Sequence, residues 1–199
     1  MDDSIVPRLP LFIGELLIRQ IERRDFKDLR EYWSDPDVTR YNWGPLPDDQ
    51  IAAQIDDWAQ VEVGGPGVAL FLVAVLDGKV IGDCPLTITS PYERQGEVGF
   101  TFNPRFTGRG LATRTVAAVL GFGFLQLGLH RMDATTDVLN ERSWRLMERV
   151  GMRREAHFVH CRNINGEWVD DYVYAMLDSE WHDRHPELVA VVGVEGQLR

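Results

Sequence analysis

Cysteine is scarce in this chain. Cys84 and Cys161 are the only two in 199 residues, and they stand far apart without a Cys-x-x-Cys pair. A disulfide framework is thereby set aside in favour of a reducing compartment. Positive charge is also short: 21 Lys and Arg against 31 Asp and Glu leave a formal net charge of -10 and a pI near 4.9. A nucleic-acid surface needs a basic stripe, so no nucleic-acid partner is expected, whereas an acidic balance attracts cationic ligands such as amines. Long uninterrupted apolar runs are missing. Leu111 to Leu129 contains Arg114, Thr115 and Gln126 and reads as a buried helix, so no membrane partner is expected. The opening Met1-Asp2-Asp3 has neither the basic nor the apolar segment of a signal peptide, which makes a cytoplasmic protein the expectation. Gly-Lys-Ser and Gly-Lys-Thr do not occur, excluding a nucleoside-triphosphate loop, and neither internal repeats nor low-complexity blocks are found. No metal is expected. His182-x-x-His185 has helix-compatible spacing without a third ligand nearby, and His157 and His160 fall on opposite faces of a strand.

With 44% hydrophobic residues, the chain fits one domain over 1–199, with a core at about 12–178 and a tail, 179–199, that has no strong pattern and is expected to fray. Leu16–Ile21 alternates like a strand; Arg24–Ser34 carries Phe26, Leu29, Tyr32 and Trp33 at helical spacing until Asp35-Pro36 stops it. A second helix is expected at about Asp48–Val61, closed by Gly64-Gly65-Pro66-Gly67. Val68–Leu76 and Lys79–Thr89 flank Asp77-Gly78, a strong hairpin signal, and one further strand is expected over Gly96–Phe102. A long helix, a strand at Arg131–Val138, a helix at Glu141–Val150, and strands at Ala156–Cys161 and Trp168–Leu177 joined at Asn165-Gly166 complete the map. Strands first as a meander and then alternating with helices predict an α/β (α+β) fold with a mixed central sheet and flanking helices.

The stretch from Asn103 to Thr113 packs two close glycines between a strand and a long apolar helix. Glycines let successive amides converge on phosphate oxygens, and the following helix adds the positive end of its dipole. A plain strand-to-helix turn has the same pattern. A nicotinamide-binding reading is weakened because Thr113 stands where the third glycine would fall, and because Asp133 lies near the start of its strand rather than its end.

A second constellation begins at Asn140. Arg105-x-x-Gly108-x-Gly110 after a strand, followed by Asn140-x-x-Ser143 opening a helix that ends at Gly151-Met152, resembles the acetyl-CoA-binding core of the GNAT superfamily of N-acetyltransferases. Gly96-Glu97-Val98-Gly99-Phe100 and Asp171-Tyr172-Val173-Tyr174 are similar to the ribosomal-protein-alanine N-acetyltransferases, the RimJ/RimL-like branch. The resemblance runs from the first strand to the last and implies a splayed sheet, with acetyl-CoA in the gap between the Glu97 strand and the Arg131–Val138 strand. It implies that main-chain groups of Phe100, Thr101 and Phe102 bond the pantetheine arm. It implies too that amides from Phe106 through Thr107, Gly108, Arg109, Gly110 and Leu111 to Ala112 hold the diphosphate, with Arg105 and Arg109 as supporting cations. Asn140 reaches the pantetheine, although it also stands at a natural N-cap. Arg149 meets a phosphate or is simply solvated, and the loop with Tyr41 and Trp43 forms the acceptor wall or staples onto the sheet.

Acetyl transfer to an amine requires a neutral nitrogen and a stabilised leaving thiolate. An α-amine has roughly a tenth of its population neutral at pH 7, a lysine amine under about 0.1%. Strand alternation turns Glu97 to the gap, where it is either the base or one half of a cross-strand ion pair. Many superfamily members have a tyrosine acid seven positions beyond the Asn; here Met147 stands there, and Ser143 is the replacement that the branch suggests. The expected acceptor is a peptide or protein N-terminus, with a small amine such as an aminoglycoside or polyamine as the alternative and a non-catalytic CoA-binding module as a third reading. The apolar run Leu188–Val194 is a candidate surface for a homodimer.

Overall fold

The computed structural model describes residues 7–42, 44–61, 69–164 and 166–193. The strands are β1 (Leu11–Ile13), β2 (Leu16–Gln20), β3 (Ala69–Leu76), β4 (Lys79–Ser90), β5 (Gln95–Val98), β6 (Thr101–Phe102), β7 (Arg131–Asp137), β8 (Arg153–Ile164) and β9 (Glu167–Leu177). The α-helices are α1 (Phe26–Trp33), α2 (Pro36–Thr39), α3 (Asp48–Ala59), α4 (Leu111–Gly121), α5 (Glu141–Val150), α6 (Asp178–Arg184) and α7 (Pro186–Val192). One sheet runs in the order β1-β2-β3-β4-β5-β7-β9-β8, with β6 paired to β4. Every pairing is antiparallel except β5 with β7, which is parallel.

Strand β3 shows why the sheet is covered on both faces. Leu70, Leu72, Ala74 and Leu76 point into a core shared with α4 and α5, whereas Phe71, Val73 and Val75 point into a second core under α1 and α3. A strand with two apolar faces needs a layer on each side. At its end Asp77 (φ 50°) and Gly78 (φ 77°) make the tight turn into β4 that the sequence predicts.

The tail does not fray through residue 193. Helices α6 and α7 close the larger core: Trp181 is fully buried and donates Nε1–H to Ala117 O at 2.7 Å, and Gly121 leaves its ring the room that a Cβ would fill. Leu188 and Val192 are buried in the chain's own core, so these two are not available to cross a dimer; Val194 lies outside the described residues. Gly64–Gly67, Val68 and Asn165 also lie outside them. Among the described residues, no helix is long and apolar enough to cross a membrane.

The strand expected over Gly96–Phe102 is two short strands interrupted at Gly99-Phe100. Both halves keep one register against β4, with Leu86 opposite Val98 and Asp83 opposite Thr101, so Pro85 stands opposite Gly99. Gly99 N–H donates to Pro85 O at 2.9 Å, but Pro85 has no N–H to return the bond. The proline ring also sets the residue opposite: a Cβ on Gly99 would lie 3.0 Å from Pro85 Cγ.

Candidate active site

The parallel pairing of β5 with β7 covers three rungs, Gln95 with Arg131, Gly96 with Met132 and Glu97 with Asp133, and then stops. Beyond it β6 follows β4 while β7 follows β9 as far as Asp137, and the sheet opens between them. This is the splay that the resemblance implies. Gly99 N–H and Asn103 N–H bond to β4, so the alternation of an antiparallel edge turns the main-chain groups of Phe100 and Phe102 toward the opening. Phe100 N–H and C=O have no hydrogen-bond partner among the described residues. Thr101 lies opposite Asp83 in the β4 ladder, which assigns its main chain to the sheet.

Past β6, Pro104–Phe106 makes a 3-10 turn capped by Asn103, whose side-chain oxygen accepts from Arg105 N–H at 3.1 Å. Phe106 N–H and Thr107 N–H bond to Asn103 O and Pro104 O, so these two amides are already committed. The open cradle is therefore shorter than Phe106–Ala112 at its start. Gly108 (φ 80°) and Gly110 (φ 72°) are left-handed, and a Cβ on either would meet nothing within 4 Å. Both glycines are there for backbone conformation, not for lack of space. The amides of Gly108, Arg109 and Gly110 have no partner among the described residues, and Arg114 N–H is the first in α4 to bond back, to Gly110 O. Leu111, Ala112 and Thr113 thus add the free N–H groups of a helix start. Six consecutive unpaired amides at the positive end of an eleven-residue helix fit a diphosphate. The arginines are less free than the resemblance implies: Arg105 pairs with Glu31 at 3.2 Å, and Arg109 lies 3.8 Å from Glu15.

On the other side of the opening, Asn140 caps α5, accepting from Ser143 N–H through Oδ1 at 3.3 Å. The capping reading holds, and the side-chain NH2 remains without a partner among the described residues. Ser143 is half-buried one turn before Met147, which is buried in the core and has no proton to give. Arg149 is exposed in the last turn of α5, about 13 Å along the axis from Asn140.

Glu97 stands at the throat, on the last rung before the strands part. Gly96 and Val98 face the α4 side, so Glu97 faces the other, where no helix covers it among the described residues. It makes no ion pair among them either, and the cross-strand pairing considered for it is not formed: its register neighbour is Asp133, another carboxylate. Glu97 is exposed at its tip, yet partial desolvation against the sheet and then the Asp133 charge push its carboxyl above its usual range, and burial does the same to half-buried Asp133. By local pattern Asp133 is only an ill-placed ribose ligand; what brings it to Glu97 is the strand register, which no nearby residue signals.

Tyr41 is half-buried in the loop after α2, and its carbonyl accepts from Arg162 Nη1 at 3.4 Å. Arg162 grips buried Asp171 with two bonds of 2.8 Å, tying this loop to the β8–β9 hairpin. Phe158, opposite Asp171 and 53% exposed, stands on the same face as Glu97. Trp43 lies outside the described residues. The histidines of β8 are not on opposite faces in the regular way. A bulge between Phe158 and Arg162 puts His160 at φ 48°, and both His157 Nε2 and His160 N–H bond to Asp170, each at 2.9 Å. His182 and His185 approach Asp178 O and Val150 O.

The comparisons with known proteins agree with this architecture. The Acetyltransferase (GNAT) domain family matches residues 15–153. The N-acetyltransferase YnaD of Bacillus subtilis is 35% identical over 172 residues, 84% of this chain and 96% of the relative. The spermidine N(1)-acetyltransferase of Escherichia coli K12 is 25% identical over 151 residues, 76% of this chain and 80% of the relative. A GNAT-family acetyltransferase structure from Bacillus anthracis superposes with a TM-score of 0.77 at 31% identity, covering 86% of this chain and all of the other. The chain belongs to the GNAT acetyltransferase family and is an acyl-transferring enzyme.

Proposed function

We propose that the chain transfers the acetyl group of acetyl-CoA to a primary amine, with the α-amine of a peptide or protein N-terminus as first acceptor. The observation that carries this reading is a sheet opening with unpaired amides at 108–113 on one rim and an unneutralised carboxylate, Glu97, at its throat. The diphosphate of the coenzyme would lie on those amides, the pantetheine along Phe100 and Phe102, and the side-chain NH2 of Asn140 would donate to it. Acetyl-CoA supplies an acyl group on a thiolate that leaves readily.

Glu97 takes the proton that frees the nitrogen lone pair, directly or through one water. A carboxylate above its usual range is the better base for that step, being closer in proton affinity to an ammonium. Ser143 returns a proton to the thiolate, the lighter task, since a thiol ionises near pH 8.5. The uncovered face around Glu97 suits a chain end, and Asn140-x-x-Ser143 suits the RimJ/RimL-like branch. A second reading, a small polyamine, is favoured by the adjacent carboxylates Glu97 and Asp133 and by the spermidine-acetylating relative.

The test is release of free thiol from acetyl-CoA against a panel of amines, including short peptides with different first residues, spermidine and an aminoglycoside. Turnover of peptides over spermidine is expected. Preference for spermidine moves the assignment to the second reading, and no turnover with any amine ends both.

A further inference from the structure

On the cleft side of β7, β8 and β9, setting aside Glu167 at the exposed start of β9, each acidic residue but one has its own cation or cap. Glu155 is held by Arg131 at 2.7 Å and Arg153 at 2.6 Å, Asp171 by both arms of Arg162, and Asp137 accepts from Leu139 N–H at 2.8 Å. Asp133 is the exception. It has no hydrogen bond or ion pair among the described residues, and its neighbour on the parallel rung is Glu97, equally without a partner. Adjacent parallel strands set two such carboxylates about 5 Å apart at their backbones. The rung is the last before the strands part, so both side chains flank the mouth of the gap. Two like charges side by side, with no cation in contact with either among the described residues, make a place that an arriving cation stabilises.

Resting on the acetyltransferase reading above, we propose that Asp133 is a positioning residue for the acceptor: with Glu97 it forms a two-carboxylate seat that docks the incoming ammonium, and its charge keeps Glu97 basic. The ammonium sits between the two carboxylates and gives one proton to Glu97. The freed lone pair then forms the new C–N bond as the C–S bond breaks and its electrons leave on sulfur; the second proton, shed by the nitrogen as the amide forms, is delivered to that thiolate through Ser143, giving the free thiol. Asp133 takes no proton in this sequence; its charge raises the proton affinity of its neighbour and lowers the free energy of the docked cation. The other charged groups facing the rung are Arg131 on β7 and Glu155 and Arg153 on β8; Glu155 pairs with both arginines, and Glu180 of α6 pairs with Arg153. From β4 the facing residue is Thr87 and from β9, beyond Asp133, it is Ala175. Asp83 lies farther along β4, beneath α1.

Two measurements on Asp133→Asn test this, with Asp133→Glu as the conservative control. In the free protein, carbon-13 titration of the Glu97 carboxyl should give a lower midpoint in the Asn variant than in the wild type, with the Glu variant restoring it. In steady-state assays with the best amine of the panel, Asp133→Asn should raise the acceptor KM about 10-fold or more. It should also move the acid limb of the kcat/KM profile to lower pH, while the KM for acetyl-CoA stays unchanged. An unmoved Glu97 midpoint, or an unchanged acceptor KM, overturns the proposal. Failure of the underlying reading would look different. Glu97→Gln would then be as active as the wild type, or no amine would turn over, whereas the titration in the free protein reads Asp133 in either case.

Discussion

Asp83 offers a severe test of how this fold handles buried charge. Its carboxylate is buried beneath α1, accepting from Tyr32 Oη at 2.8 Å and Trp33 Nε1 at 2.9 Å, both on Oδ2. Burial pushes its pKa up from 3.8 to about 7, and the two donors, which favour the charged form, recover only part of the desolvation cost. The sign follows from linkage. An acid whose folded pKa is raised gives its full stability below the unfolded value and loses it as pH rises through the folded one. Between pH 4 and 7 the unfolded chain is ionised at this residue and the folded chain is not. Each pH unit well inside that window costs about 1.4 kcal/mol, and the slope flattens near pH 7, so about 2 kcal/mol is lost between pH 5 and pH 7, with little further loss by pH 8. Asp83→Asn keeps an acceptor oxygen for Tyr32 and Trp33 and removes the titration. The measurement is urea unfolding of both proteins at pH 5, 6, 7 and 8. Stability of the variant relative to the wild type should rise by about 2–3 kcal/mol across the series, whatever its value at pH 5. A relative stability that is flat with pH would refute the claim that Asp83 holds its proton in the folded state.

Glu97→Gln should lower kcat/KM by about 10²–10⁴-fold, and Ser143→Ala by less; steady-state rates in the opposite order would exchange the two roles. Because the Glu97 carboxyl is pushed up, activity should fall at low pH from a point above the ordinary carboxylate range, and the pH–rate profile of the wild type checks this directly. Gly110→Ala forces an L side chain into a left-handed cap, costing about 1–2 kcal/mol. If the cradle is read correctly, thermal stabilisation by acetyl-CoA should also shrink, and full stabilisation in the variant would place the coenzyme elsewhere. Trp181→Ala should cost about 3–5 kcal/mol in equilibrium unfolding, whereas an unaltered midpoint would mean that the last two helices are not part of the cooperative core.

What the sequence revealed and what it hid divide along the range of the interaction. The Asp77-Gly78 turn and the bounds of α5, Glu141–Val150, are set by chemistry within a few residues, and both stand where the pattern puts them. The Gly108-x-Gly110 cradle is equally local: its glycines are left-handed and its amides unpaired. Helices α6 and α7 have seven residues each, too few to show a helical period, and what orders them is the burial of Trp181 against Ala117 and Gly121, some sixty residues away. Asp133 and Glu97 become neighbours only through a parallel register that no local motif announces. The break between β5 and β6 belongs to the same class, and the residue opposite it stands in plain letters. Pro85 in the interior of β4 cannot return the bond that Gly99 gives it, and its ring crowds a side chain opposite. The Gly99 carbonyl is left without a donor on β4, and the pairing lapses for two residues just where β7 diverges on the other side. A missing amide hydrogen in the interior of a sheet is ordinarily a loss of stability. Here it coincides with the edge that the thioester-bearing arm of a coenzyme would need, and the unpaired main-chain groups of Phe100, which face the opening, are the ones such an arm could satisfy.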